Sequence, residues 1–165
     1  MKLYYSFYTS PVGILTIVCD DNSVRSILLE SQDSPAFEKL IYTDDSPVIR
    51  KVNKWLNAYF AGVRPNVTEI PLYPGGTDFQ NKIWNILLNI PYGKTYTYGQ
   101  IADIYIKQNN ISKMSAQAVG QAIAKNPIAI IIPCHRVIGK NGTLTGYAGG
   151  LEAKRKLLQL EGAAM

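Results

Sequence analysis

The residues best suited to chemistry in this chain are a cysteine and the only histidine, which stand side by side as Cys134 and His135. They follow an apolar run, residues 128–132, and a proline, and Arg136 comes directly after them. Cationic neighbours lower the pKa of a thiol, and the thiolate is the form that acts as a nucleophile. The pattern therefore predicts a nucleophilic cysteine, partly ionised near neutral pH, at the end of a buried segment.

A base beside a thiol works best when a carboxylate orients it. The second half of the chain contains four carboxylates, and their spacing does not choose among them; they are Asp78, Asp103, Glu152 and Glu161. Adjacent residues of an extended segment point to opposite faces. We therefore expect the thiol and the imidazole to interact through water, unless the backbone turns at this point.

Composition excludes several classes of protein. Two cysteines 115 positions apart are too few for a disulfide scaffold, and a single histidine rules out a four-ligand Cys/His zinc site within this chain. No apolar run reaches the roughly 20 residues of a membrane span, and the first residues lack a signal-peptide pattern. We expect a cytoplasmic protein with no metal or other cofactor, no membrane association, and Cys19 in its core.

Charge is distributed unevenly along the chain. Residues 1–75 carry seven basic and eight acidic side chains, whereas residues 76–165 carry ten basic and four acidic ones. A stretch rich in proline and glycine, residues 63–76, coincides with this change and reads as a linker. We place a domain border near residue 75. The basic excess indicates either a polyanionic partner for the second half or a solubilising surface.

The first half has the pattern of a small sheet followed by a helix. Three short runs rich in aromatic and β-branched residues predict an antiparallel meander; they cover residues 3–8, 14–19 and 24–29. Ser46 and Pro47 predict a helix start, and apolar residues then recur at helical spacing until Gly62.

The second half is predicted to be mostly helical, with helices that begin near Thr77, Thr97 and Ser115. The last two are joined by a polar loop and suggest a helix-turn-helix. The helix after Ser115 contains mostly Ala, Gly, Ser and Gln. Such small residues favour either close packing on another helix or close approach to the minor groove of DNA.

Five motifs along residues 77–162 resemble, in the expected order, the O6-alkylguanine-DNA alkyltransferases. They correspond to the family's first helix-turn-helix segment, its recognition helix with an asparagine hinge, its active-site signature, its guanine-binding loop and its C-terminal element. The matching residues are 90–102, 118–120 with 125–127, 133–138, 146–150 and 158–162. The first half of the chain resembles the family only in length and layout.

The resemblance implies an α+β fold. A ribonuclease H-like domain with a small antiparallel sheet and a helix would occupy residues 1–75, and a mostly helical DNA-binding and alkyl-transfer domain residues 76–165. It also implies direct-reversal DNA repair by a monomer. The protein would bind double-stranded DNA through the minor groove and rotate O6-alkylguanine out of the stack. It would then move the alkyl group irreversibly to Cys134, one lesion per molecule, with O4-alkylthymine as a further substrate.

The resemblance further assigns roles to individual residues. Cys134 is the acceptor, His135 is the base that acts through a water, and Glu161 orients His135. Tyr98 crowds the 3′ phosphate and donates a proton to guanine N3. The implied pocket residues are Tyr147, Ala148 through its N–H, Val137 and Ile123, with Asn126 holding the turn before an active-site strand. The implied DNA contacts are Tyr98, Ser115, Ala116, Gln117, Ala118, Gly120, Ala124 and Arg136.

One position departs from the family pattern. The family usually places an arginine directly before the Ala-Val-Gly of the recognition helix, where its side chain fills the gap left by the rotated base; here the residue is Gln117. A glutamine is shorter and uncharged. We expect this difference to weaken base rotation and to leave alkyl transfer itself intact.

Three alternatives remain open from the sequence. Alkyltransferase-like lesion sensors share the fold but lack the acceptor cysteine, whereas Cys134 is present here. A cysteine hydrolase could use Cys134 and His135, but it would leave the basic second half unexplained. A plain helix-turn-helix regulator would need no Cys-His pair.

Overall fold

The computed structural model describes residues 1–164, which form two compact units. The first unit comprises Met1–Gly75 together with Pro127–Ala129, and the second comprises Gly76–Asn126 together with the chain from Ile130 onward. Residues 127–129 thus differ from the predicted division, which put everything after residue 75 in the second domain. They pair with strand 24–28, since the Ile27 N–H donates to the Pro127 carbonyl at 3.0 Å and the Ala129 N–H to the Ile27 carbonyl at 3.1 Å.

The first unit is a four-stranded sheet with one helix. Its elements are β1 (Tyr4–Ser10), β2 (Gly13–Cys19), β3 (Val24–Leu28), β4 (Ile41–Tyr42) and α1 (Pro47–Phe60), in the sheet order β3-β2-β1-β4. The predicted meander is confirmed, because β1–β2 and β2–β3 pair antiparallel. The structure adds β4, which runs parallel to β1 and was not predicted. The helix starts at the expected serine, whose hydroxyl accepts from the first-turn N–H groups.

The core of the first unit lies between the sheet and α1. Fully buried side chains of β2 and β3 form one side of this core, among them Leu15, Ile17 and Ile27. The apolar stripe of α1 forms the other side, with Ile49, Val52 and Leu56. The predicted linker is also partly built into this unit. The Val24 N–H donates to the Pro71 carbonyl at 2.9 Å and the Tyr73 N–H to the Val24 carbonyl at 2.8 Å, so residues 71–73 extend the pairing of β3.

The second unit is mostly helical, as predicted. Its elements are α2 (Asp78–Leu88), β5 (Tyr96–Thr97), α3 (Tyr98–Asn109), α4 (Ala116–Ala124), β6 (Val137–Ile138) and α5 (Leu151–Leu160). Thr77 and Thr97 each form a reciprocal capping box, and Ser115 caps α4, so the predicted helix starts are confirmed. The helices α2, α3 and α4 pack on one another. Within residues 1–164, no helix is long and apolar enough to cross a membrane.

The apolar run before Cys134 is buried, as predicted, but it does not form the active-site strand that the resemblance implied. Ile128 makes an isolated bridge, and the chain then turns through residues 129–131. Ile130 has a positive φ of 72°, a region that a β-branched residue rarely occupies. A buried turn and a buried strand both require apolar side chains, so periodicity does not separate them. The turn delivers Cys134 to the second unit.

Candidate active site

The proposed nucleophile lies in a single 3-10 turn, Cys134–Arg136. The Cys134 N–H donates to the Ile132 carbonyl at 2.8 Å, and the Asn126 amide donates to the same carbonyl at 2.9 Å. Asn126 is itself buried, and its side chain also hydrogen-bonds the Cys134 thiol. One amide therefore ties together the end of α4, the buried turn and the sulfur.

The Cys134 sulfur is buried among groups that favour its ionised form. Burial is the largest influence and raises the pKa of the thiol above its ordinary value. The Asn126 hydrogen bond, the Lys154 charge and the N–H groups of Cys134 and His135 oppose that rise without reversing it. The expectation of a partly ionised thiol at neutral pH is thus corrected. The resting group is a neutral thiol, because desolvation outweighs its polar neighbours.

Of the four candidate carboxylates, the structure brings Glu161 to the histidine. His135 Nε2 lies 2.7 Å from Glu161 Oε2, and both side chains are fully buried. Burial would raise the pKa of Glu161, but hydrogen bonds and charge from His135 and Arg136 outweigh it and hold that pKa far below its ordinary value. Glu161 is therefore an ionised acceptor, and the imidazole proton belongs on Nε2.

The His135 ring is neutral, and its Nδ1 nitrogen is available to accept a proton. Burial is the main reason that its pKa lies below the ordinary value; Arg136 and Lys154 act in the same direction, against Glu161. Its Nδ1 atom is buried and has no hydrogen-bond partner within residues 1–164. With Nε2 committed to Glu161, Nδ1 is the atom that can accept a proton.

The Arg136 side chain is bound inside the site, next to Glu161. Its Nε atom donates to Glu161 Oε1 at 2.7 Å, and Nη1 donates to the Ile90 carbonyl at 2.8 Å. The guanidinium also stands over the Tyr92 ring, 5.7 Å from its centroid, and the side chain is only 11% exposed. Its donors are used within the protein. Arg136 is thus held by partners inside the site, and its contact with DNA, which the resemblance implies, stays a prediction.

An open cavity of about 600 Å³ lies beside this centre in the second unit. Its walls come from the start of α3, one face of α4 and the loop before α5; the lining residues are Tyr98, Ala116, Gln117, Gly120, Ile123, Ala124, Gly146, Tyr147 and Ala148. Most residues predicted to contact substrate or DNA therefore meet at one place. Five do not line it. Ser115 caps α4, Ala118 is half-buried beside the lining residues, and Val137 is fully buried in β6. Asn126 is buried after the end of α4, and Arg136 pairs with Glu161.

Two tyrosines connect the cavity to the thiol. The Tyr98 hydroxyl donates to the Thr145 carbonyl at 3.3 Å, and burial together with the Cys134 sulfur raises its pKa. The Tyr147 pKa is raised well above its ordinary value by burial, and then by Cys134 and Glu161. The Tyr147 hydroxyl is close to Cys134, but within residues 1–164 it makes no hydrogen bond of regular geometry to nitrogen or oxygen. Both phenols stay protonated and can donate.

Sequence reasoning missed a buried lysine. Lys154 on α5 is fully buried, and its ammonium donates to the carbonyls of Val137 and Thr145. Burial lowers its pKa to about 8, against the opposing influence of Cys134. Thr145 thus accepts from both Lys154 and Tyr98, which fixes the loop at the cavity. A sequence signal was present, since Lys154 shares the apolar face of α5 with Leu157 and Leu158.

Two family models together match nearly the whole chain. Residues 3–74 match the ribonuclease-like domain of 6-O-methylguanine DNA methyltransferase. Residues 78–163 match the DNA binding domain of the same protein.

Among residues 1–164, no group of three or more His, Cys, Asp and Glu side chains is arranged to hold a metal ion.

Individual relatives agree with the family models. The chain is 47% identical over 159 residues to a methylated-DNA–protein-cysteine methyltransferase of Haemophilus influenzae, covering 96% of this chain and 86% of that one. It is 40% identical over 161 residues to the protein of that name in Methanosarcina acetivorans, covering 98% and 99%. The crystal structure of Mycobacterium tuberculosis OGT in complex with DNA superposes with a TM-score of 0.85 at 41% identity, covering 96% and 92%. The chain therefore belongs to the 6-O-methylguanine DNA methyltransferase family.

Proposed function

We propose that this chain is a methylated-DNA–protein-cysteine methyltransferase that takes the alkyl group from O6 of guanine in double-stranded DNA onto Cys134. The observation that carries the proposal is the juxtaposition of a buried thiol, a neutral His135 oriented by Glu161, and an open cavity. The names of the relatives, and the DNA in the M. tuberculosis complex, point to the same substrate and partner.

The α4 face fits an approach to the minor groove. Ala116, Gly120 and Ala124 lie along the cavity and project almost no side chain, so a narrow groove could come close to the helix backbone. The damaged base must leave the stack to reach a buried sulfur, at a cost of a few kcal/mol. Gln117 is the longest exposed side chain on this face and stands at the cavity rim, where it would occupy the gap.

The thiol must lose its proton during the reaction. We assign that proton to His135 Nδ1, through one water, because Nδ1 is the unpartnered nitrogen and the charge that forms on the ring faces Glu161. The Cys134 sulfur then forms a bond to the alkyl carbon while the carbon–O6 bond breaks. The electron pair of that bond leaves with guanine.

Two donors stabilise the departing guanine. Tyr98 gives its hydroxyl proton to guanine N3, after exchanging its contact with the Thr145 carbonyl for one with the base. Ala148 is an exposed residue on the cavity wall, and we place its backbone N–H opposite O6. The product is a thioether, which water does not cleave, so a monomer repairs one lesion and stops. O4-alkylthymine presents the same carbon–oxygen bond and is a second substrate under this proposal.

The test follows the fate of the DNA. Excess duplex that contains one O6-methylguanine is mixed with the protein, and restored guanine is counted per protein molecule. We expect restoration to stop at one per protein and to vanish in Cys134→Ala, while Cys19→Ala serves as the matched control. Continued turnover would indicate a hydrolase, and tight lesion binding without restored guanine would indicate a sensor.

A further inference from the structure

The Glu161 carboxylate has two side-chain partners, the His135 imidazole and the Arg136 guanidinium. Oε2 lies 2.7 Å from His135 Nε2 and accepts from Arg136 Nη2 at 3.1 Å, while Oε1 accepts from Arg136 Nε at 2.7 Å. The Gly93 N–H lies 3.5 Å from Oε1 as well. The guanidinium therefore grips the carboxylate with two of its N–H groups, in the forked geometry that favours arginine over lysine.

The position of the guanidinium is itself fixed. Nη1 donates to the Ile90 carbonyl at 2.8 Å, and Ile90 is buried at the end of the α2 segment. The Tyr92 ring lies beneath the guanidinium, and the Tyr92 hydroxyl donates to the Leu160 carbonyl, directly before Glu161. Arg136 thus joins the chain after α2 to the chain after α5, with Glu161 between them.

A carboxylate alone would be a poor partner for a base that must stay neutral. In a buried site, an ionised Glu161 favours the imidazolium form of His135, and an imidazolium cannot take the thiol proton. The other ionisable groups near His135 are Arg136, Lys154 and Cys134. Arg136 balances Glu161, so the pair is neutral when the imidazole is neutral, and a proton on His135 would create a buried net charge.

We propose that Arg136 is a positioning residue, which holds Glu161 by two N–H groups and so keeps His135 neutral with Nδ1 ready to accept the Cys134 proton. The catalytic half of this inference rests on the proposed function. The statement about His135 does not, because it concerns the protein before any substrate binds.

The single histidine of the chain makes the test direct. Protein labelled with ¹⁵N-histidine gives one imidazole signal pair, which reports the tautomer and the pKa of His135 by NMR. We expect the wild-type ring to carry its proton on Nε2 and to titrate below the ordinary pKa of a histidine, because it is buried. In Arg136→Gln, the pKa of His135 should rise by about one unit or more. Arg155→Gln is the matched control, because it removes an equal charge from a surface pair with Glu152.

The reaction gives the second readout. With free O6-benzylguanine, the acidic limb of the single-turnover rate should move to higher pH in Arg136→Gln, while affinity for undamaged duplex stays unchanged. Arg136→Lys keeps the charge but grips one oxygen, so we expect a His135 pKa near that of wild type and a rate reduced several-fold.

The outcomes that overturn the inference are equally specific. One is an unchanged His135 pKa in a folded Arg136→Gln protein. A second is a wild-type rate at every pH in Arg136→Lys, which also decides the matter if the Gln variant does not fold. A third is an Arg136→Gln protein whose affinity for undamaged duplex falls by the same factor as its transfer rate, which would make Arg136 a DNA contact. If wild-type protein transfers no alkyl group, the proposed function fails while the NMR test of Arg136 still stands.

Discussion

The two cysteines lie in contrasting surroundings, although both are free and buried. Cys19 ends β2 in the first unit, with the Ser46 hydroxyl 3.8 Å from its sulfur. Burial raises the pKa of Cys19, the Ser46 hydrogen bond lowers it, and the carboxylates of Asp20 and Asp21 raise it further. Burial also raises the pKa of Cys134, but Asn126, Lys154 and two backbone N–H groups act against the rise.

The difference lies in how the surroundings of each buried thiol would affect its thiolate. Around Cys134, an amide, an ammonium and two backbone N–H groups would stabilise a thiolate once it forms, and a neutral imidazole is the adjacent residue. Around Cys19, negative charges would oppose a thiolate, and the chain's only histidine lies elsewhere in the sequence. The groups around each sulfur therefore differ in whether they would stabilise or oppose a thiolate, which is the form that reacts.

The largest expected effect comes from replacing each of the two cysteines by alanine in turn. Cys134→Ala should abolish alkyl transfer while leaving duplex affinity intact, because the α4 surface is unchanged. Cys19→Ala should transfer at the wild-type rate and lose about 1 kcal/mol of folding stability from a small core cavity. Single-turnover assays and urea unfolding check both. Residual transfer in Cys134→Ala would end the distinction between the two sites.

The second effect concerns the imidazole that Cys19 lacks. His135→Ala should slow transfer by about a hundredfold or more, the scale for loss of a positioned general base. Glu161→Gln should slow it by a smaller factor, because the ring keeps its place but loses the charge that supports its protonated form. Rapid-quench measurements at saturating DNA give both rates. A wild-type rate in Glu161→Gln would rule out the orienting role of that carboxylate.

A third, smaller effect separates the chemistry of Cys134 from the handling of DNA. Gln117→Arg should raise the transfer rate several-fold on duplex substrate, because a longer, charged side chain holds the gap left by the rotated base. The same change should leave the rate with free O6-benzylguanine unchanged, since no base needs rotating. Equal changes with both substrates would mean that residue 117 acts through the pocket or the fold.

The smallest effect lies beside Cys19, where charge supports folding. Burial would raise the pKa of Asp20, but hydrogen bonds from Arg25, Asn22 and Ser23 outweigh it and hold that pKa at about 2, against an ordinary value of 3.8. The folded-state pKa is lowered, so this stabilisation is present above pH 4 and is lost as the pH falls toward 2.

Asp20→Asn tests this contribution by chemical denaturation. At neutral pH it should cost on the order of 1 kcal/mol, and the gap to wild type should close in acid. Asp44→Asn, at an exposed position of the same unit, is the control and should show no such gap. A gap that is constant from neutral pH to pH 2 would show that the Asp20 charge does not support the fold.

Local sequence signals predicted much of this fold. The three meander strands are rich in aromatic and β-branched residues, and Ser46, Thr77, Thr97 and Ser115 mark helix starts through hydrogen bonds within their own first turns. The pairings that were missed involve segments of two or three residues, namely β4, residues 71–73 and residues 127–129. Segments that short have no periodicity, so only their tertiary partners reveal them.

The sequence predicted those parts of the site that residue type alone reveals. It did not predict the contacts that depend on partners distant in the sequence. A Cys-His pair indicates nucleophilic chemistry from residue type alone. The carboxylate that pairs with His135 is Glu161, which lies 26 positions away and could not be chosen by spacing. The resemblance implied a DNA contact for Arg136 and gave no sign of its carboxylate partner, which lies 25 positions away. Burial of Lys154 likewise depends on how α5 packs.

The most direct test of the account compares the two sulfurs in one experiment. The protein is incubated with a duplex that contains a single O6-methylguanine, and its intact mass and peptide map are then measured. We expect one added methyl group per protein molecule, located on the peptide that contains Cys134, with the Cys19 peptide unmodified. A methyl group on Cys19, or repaired DNA with no mass added to the protein, would contradict it.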